Sequence, residues 1–311
     1  MSFQQNVILR RRRGARCYTD PPRTQSVAVA KISAERMTTI GNTTVAVRLL
    51  RADDLAAAVE LSALAGWNQT EDDWRMLMEL SPHGCFGVDA EGALVATTTL
   101  ITYGLELAWV GMVLTKPEYR GRGFARALVT HAMEAADSLG IRTVKLDATD
   151  QGKRLYESAG FETEDVVERW SRAGTSNLRV KGGGFQLDRL PSDLDACGAD
   201  RLAMLSRLAM RSHVYIGADA YLFARAGRTT AYLGPCVAGH LTSARALITS
   251  TLNASTSVAW SWDLLPQNRN AVALASELGF SRQRVLTRMS RGKTLRGRDD
   301  LVYAIAGFEL G

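Results

Sequence analysis

The segment Arg120-Gly121-Arg122-Gly123-Phe124-Ala125-Arg126 is the part of this chain best suited to chemistry. An apolar, strand-like run precedes it and an amphipathic run follows, so the glycines fall in a strand-to-helix turn. Glycine lets a backbone come close to a ligand, and the first N–H groups of a helix have no acceptor of their own. The helix dipole and two arginines add positive potential there. Together these features make a cradle for a diphosphate. Two glycines in a turn are common, so the surrounding elements must decide.

Those elements alternate between strand and helix. Val45–Leu50 reads as a strand, and Asp53 and Asp54 open a helix that runs to about Ala65. Thr70–Leu80 reads as a second helix, capped by Thr70 with acidic residues in its first turn. Cys85–Val88 and Ala93–Tyr103 form a hairpin around Glu91-Gly92. A strand at Leu107–Leu114, a helix at Phe124–Ser138 and a strand at Thr143–Asp147 come next. A short helix at Lys153–Ala159 and a strand at Val166–Arg172 complete the unit. Residues 94–114 are apolar enough to suggest a membrane span. Glu106, the Thr97-Thr98-Thr99 run and Tyr103-Gly104 break it, which favours two core strands and no membrane association.

Composition narrows the function. Of the formal charge of +6, residues 1–36 carry all, with eight basic and two acidic side chains. The rest is balanced, so no face-wide nucleic-acid footprint is expected. The arginine run reads either as an electrostatic arm or, preferably, as a disordered leader over 1–42, with a start nearer Met37. No apolar stretch follows it in the manner of a secretory signal. Four scattered cysteines without a C-x-x-C pair suit reduced, cytoplasmic thiols. Neither they nor the four histidines show metal-ligand spacing.

The chain also repeats itself. Ala125-Arg126-Ala127-Leu128 recurs as Ala244-Arg245-Ala246-Leu247, and Gly160-Phe161 as Gly279-Phe280. Arg169-Trp170-Ser171-Arg172 recurs as Arg288-Met289-Ser290-Arg291, all at an offset of 119 residues. Between Gly234 and Ala244 the second copy has nine residues where the first has thirteen, and the phosphate loop is missing. Ala275 stands in place of Tyr156. The reading is an α/β protein of two tandem lobes, over 43–180 and 184–311, with a linker near Lys181-Gly182-Gly183-Gly184. Tyr303–Gly311 forms a closing strand and turn.

Thr115-Lys116-Pro117, Arg120, Gly123 and Ala125 resemble the coenzyme A-binding motif of the GNAT superfamily of N-acetyltransferases. Leu155-Tyr156-Glu157-Ser158-Ala159-Gly160-Phe161 resembles the segment that closes that domain. As a whole the chain is similar to tandem-lobe bacterial members, to which Ala65–Trp74 also points. The resemblance implies a mixed, twisted sheet with helices on both faces in each lobe. It implies acetyl-CoA as co-substrate and a small-molecule or protein amine as acceptor, with transfer direct. Val113, Leu114 and Thr115 would pair with the pantetheine arm, and Arg120, Gly121, Arg122, Gly123, Phe124, Ala125 and Arg126 would hold the pyrophosphate. Thr149 would contact the cofactor where relatives have Asn. Tyr156 would protonate the departing thiolate. A non-catalytic acyl-CoA-binding module is the alternative. Relatives that carry a glutamate base have it at the position of Gly111, so the base stays unassigned between Glu106, Asp73 and others. Trp67, Trp74 and Trp109 are candidates for the acceptor pocket.

Overall fold

Thr70 starts a helix because its Oγ1 accepts the N–H of Asp73 (3.2 Å) while the Asp73 carboxylate accepts the N–H of Thr70 (2.7 Å). That reciprocal cap satisfies two donors that a helix start otherwise leaves bare. Similar local rules set the rest of the computed structural model, which describes residues 35–40, 43–180 and 190–311. The arginine run and the linker expected at 181–184 lie outside the described residues.

The first half contains β1 (Glu35–Ile40), β2 (Thr43–Leu49), α1 (Leu55–Leu64), α2 (Glu71–Leu80), β3 (Cys85–Ala90), β4 (Ala93–Tyr103) and β5 (Leu107–Thr115). It continues with α3 (Phe124–Leu139), β6 (Thr143–Ala148), α4 (Asp150–Ser158) and β7 (Glu162–Arg172). The second half contains α5 (Asp193–Cys197), α6 (Leu202–Ala209), β8 (Ser212–Ile216), β9 (Ala220–Arg225) and β10 (Ala231–Ala238). It ends with α7 (Leu241–Asn253), β11 (Trp260–Leu264), α8 (Arg269–Glu277), β12 (Ser281–Gly292) and β13 (Val302–Ala304). One boundary differs from expectation. Residues 35–40, read as leader, form β1, which pairs antiparallel with β2.

The strands make one sheet, in the order β1-β2-β3-β4-β5-β6-β12-β7-β11-β10-β9-β8, with β13 attached to β10. That order corrects the expectation that Val166–Arg172 would complete its own lobe. Instead β12 lies against β6, and β7 lies between β12 and β11. The first lobe lends β7 to the second, and the second lends β12 to the first. The repeated Arg-x-Ser-Arg explains why the places are interchangeable. Arg169 binds Asp263 of β11 through Nε (2.7 Å), and Arg288 binds Asp147 of β6 through Nε and Nη2 (2.9 and 3.0 Å). Both aspartate side chains are fully buried. Burial opposes the charge on Arg169, but Asp263 more than offsets it. Removing one partner of such a pair costs about 3–5 kcal/mol, because the other charge is left dry.

Among the described residues, buried apolar side chains collect in three places. Ala127, Leu128, Ala132 and Ala136 of α3 pack with Phe86, Val110 and Leu146 on one face of the first lobe. Ile248, Trp260, Trp262 and Leu274 do the same in the second. The third cluster joins the lobes, bringing Trp74 and Leu77 of α2 together with Leu205 and Leu208 of α6 and with Ile305 and Leu310. The lobes therefore share a core as well as a sheet.

Candidate active site

The site begins with an irregularity in β5. Thr99 pairs with Gly111 but Thr97 pairs with Leu114, so β5 carries an extra residue. Met112 there has φ of 50°, a region that L-residues seldom adopt. Two members of the threonine run hold it. Thr97 Oγ1 donates to the Met112 carbonyl (2.9 Å) and Thr98 Oγ1 to that of Gly111 (3.3 Å). On the other side, pairing of β5 with β6 ends at Trp109–Lys145. Beyond that point Val113, Leu114 and Thr115 run along an open edge. Thr115 Oγ1 is buried there without a hydrogen-bond partner.

The glycine loop follows. Gly121 and Gly123 have φ of 77° and 85°, which the turn into α3 requires. The first helical bond runs from the Ala127 N–H to the Gly123 carbonyl (3.0 Å), so the N–H groups of Phe124, Ala125 and Arg126 have no helical acceptor. The first turn of α3 contains no acidic residue to neutralise its dipole. Arg120 bonds only the Thr115 carbonyl and Arg122 that of Glu118 (3.3 and 3.2 Å), and among the described residues neither meets a carboxylate. Thr115, Gly121, Arg122, Gly123, Gln151 and Leu155 are among the residues that line an open groove of about 1190 Å³. Such a groove fits a diphosphate on the geometry of the helix end alone.

A second, deeper pocket of about 610 Å³ continues along the same elements. Its walls include Val113 of β5, Thr149 at the N-cap of α4, and Tyr156. The Tyr156 side chain is 8% exposed and meets Phe161 edge to face, 6.1 Å between ring centres. Burial pushes its phenol up from the ordinary value, so it holds its proton at neutral pH. The far wall comes from the other lobe's strand and from the chain's closing turn, as Arg284, Leu286, Phe308 and Glu309.

That far wall is what sequence reasoning missed. A Cβ on Gly111 would stand 2.9 Å from the Glu309 Cα, so a glycine is needed where the turn packs against β5. The turn is tied to both lobes. Trp109 Nε1 donates to the Phe308 carbonyl (2.8 Å), Tyr103 Oη to that of Leu310 (2.6 Å) and Arg225 to that of Ala306 (2.7 Å). Glu309 itself accepts from Gln69 Nε2 (3.0 Å). No local pattern links Gly111 to Glu309. The loss of a side chain at 111 is the single trace in the sequence.

The other expectations sort clearly. Trp67 lines the pocket, Trp74 is core with its Nε1 on Ser62, and Trp109 faces a neighbouring cavity that lacks Tyr156. Asp73 caps α2 and pairs with Arg211, and Glu106 pairs with Arg142 on an exposed turn. Neither lines the pocket. Asn68 clips the lobes together, accepting from the N–H groups of Thr229 and Thr230 (2.8 and 3.1 Å) and donating to the Thr230 carbonyl (2.9 Å). Among the described residues no helix is long and apolar enough to cross a membrane, and no cluster of His, Cys, Asp and Glu could hold a metal.

A mixed sheet splayed at a bulged strand, with a glycine loop at the following helix, defines the class. Residues 53–161 match the family model for the acetyltransferase (GNAT) family, and residues 190–304 match an acetyltransferase (GNAT) domain. The chain belongs to the GNAT family, with two such domains in tandem. It is 27% identical over 173 residues to the uncharacterized N-acetyltransferase YitH of Bacillus subtilis, covering 52% of this chain and 60% of that protein. It is 32% identical over 118 residues to the uncharacterized N-acetyltransferase YhbS of Escherichia coli, covering 35% of this chain and 64% of that one. The match thus spans under two thirds of either relative. A Pyrococcus horikoshii crystal structure, itself of an inferred acetyltransferase, aligns with a TM-score of 0.73 at 20% identity. It covers 85% of this chain and 95% of that one, which establishes the two-lobe fold.

Proposed function

We propose that this protein transfers an acetyl group from acetyl-CoA directly to an amine. The observation that carries the reading is that α4 and β5 serve two adjoining spaces. Gln151, Leu155 and Thr115 border the groove of the glycine loop, whereas Thr149, Tyr156 and Val113 border the pocket. One elongated substrate then places its diphosphate on residues 120–126 and its thioester beside Tyr156. Val113, Leu114 and Thr115 lie free to pair with the pantetheine arm, and the orphaned Thr115 hydroxyl gains a partner.

The reaction follows from that placement. The neutral amine nitrogen bonds to the thioester carbon, the carbon–sulfur bond breaks, and the Tyr156 phenol gives its proton to sulfur. The tyrosinate regains a proton from the nitrogen as it becomes an amide. General-acid help of this kind is worth about 100-fold or more. An N–H of β5 aimed at the carbonyl oxygen adds ~3–4 kcal/mol. The test is thiol release from acetyl-CoA with a panel of amines, alongside calorimetry with coenzyme A. Amine-dependent release is expected. Tight cofactor binding without turnover of any amine would favour the non-catalytic module.

A further inference from the structure

The pocket beyond Tyr156 holds a cation and an anion that are not paired with each other, and their separation bears on what it accepts. Of its ionic groups, Asp147 is held by Arg288 and Arg169 by Asp263. Arg284 and Glu309 remain. Glu309 is 5% exposed, with one oxygen on Gln69 and the other 3.9 Å from Arg225. Arg284 has no carboxylate or carbonyl partner among the described residues, and its Nε is buried without a hydrogen bond. Its guanidinium lies 5.2 Å from the centre of the Phe308 ring, which Arg169 also approaches, at 4.6 Å. Burial and the nearby Arg169 both disfavour its charge, and Asp263, which favours it, is already bound to Arg169.

The backbone is built to aim this side chain. In the β12–β7 ladder Arg282 pairs with Trp170 and Arg284 with Arg169, so Gln283 is an extra residue. In a regular strand, residues 282 and 284 would share a face. The bulge separates them. Arg282 turns to Glu168 (2.9 Å), while Arg284 turns into the pocket.

We infer that the acceptor is a small amine bearing a carboxylate, the carboxylate gripped by Arg284 and the amine end lying between Glu309 and Tyr156. The inference rests on the acetyl-transfer reading and narrows it to one acceptor class. A guanidinium with free donors matches a carboxylate with two parallel hydrogen bonds, and the buried Nε supplies one of them. Glu309 offers an anion to the ammonium that such a zwitterion brings, and the ammonium gives one proton to water before its nitrogen attacks.

The test uses amines in matched pairs, amino acids against their carboxamides. Thiol release and calorimetric binding with coenzyme A present are measured for the full chain and for Arg284→Gln and Arg284→Lys. A preference of about 10- to 100-fold for the carboxylate member is expected, carried by KM. Arg284→Gln should reduce it to near one with coenzyme A affinity unchanged, and Arg284→Lys should restore part of it. Equal treatment of both members, binding of neither, or a preference that survives Arg284→Gln would overturn the inference. The calorimetric arm needs no turnover. Carboxylate-dependent binding without any thiol release would therefore sink the transferase reading while upholding the role of Arg284.

Discussion

The two lobes enter their equivalent helices in opposite ways. At α3 the chain passes through left-handed Gly123, presents free N–H groups and keeps carboxylates away. At α7 the cap is His240 in extended conformation, and Asp219 accepts a hydrogen bond from Ser243 (3.1 Å) in the first turn. The second lobe has thus put its own carboxylate at the end of the helix that attracts anions. The next helix shows the same contrast. Tyr156 borders a pocket, whereas Ala275 is sealed in the core. Thr149 makes no cap hydrogen bond, whereas Asn268 caps α8 and donates to the carbonyls of Asp300 and Val302 (both 3.0 Å). Duplication preserved the scaffold. The second copy uses for its own stability the positions that the first leaves open to a ligand.

Four experiments break or sharpen this contrast. The largest effect belongs to what the lobes share. Arg288→Met and Arg169→Met should each lose about 3–5 kcal/mol in urea unfolding, and replacing the facing aspartate with leucine as well should recover much of it. A loss confined to one of the two would show that the ion pairs are not equivalent. Gly123→Glu should weaken acetyl-CoA binding about 100-fold by calorimetry, because a like charge and a strained φ meet the diphosphate (about 2.7 kcal/mol). Asp219→Asn, at the matching helix of the other lobe, should leave that affinity alone. Tyr156→Phe should lower kcat about 100-fold with KM nearly constant. Since burial raises this phenol, its proton stays on as pH climbs, and the wild-type kcat should show no alkaline decline from it below pH ~10. Asn68→Ala should have the smallest effect, about 1 kcal/mol in stability for the lost hydrogen bonds, read as a lower urea midpoint.

The half of the site that the sequence discloses is the half written in consecutive residues. The loop at 120–126, the cap at Thr70 and the helix with Tyr156 each depend on neighbours a few positions apart, so motif and periodicity reveal them. Arg284, Phe308 and Glu309 reach the pocket through pairing of β12 with β6 and packing of the closing turn on Gly111. Those contacts join residues far apart in the chain, and no local pattern records them. The repeated Arg-x-Ser-Arg is visible, but it signals two similar strands without saying which lobe each one completes. The bulge at Gln283 is equally silent, because one additional residue in a strand looks like any other.

The traded strands also order events during synthesis. A ribosome that has delivered residue 280 has produced the glycine loop and Tyr156, yet β6 still has a bare edge and the far wall of the pocket does not exist. The pocket is complete only once β12 and residues 308–309 have joined it, and that bare edge is the place where a chain interrupted at residue 280 would stick to another.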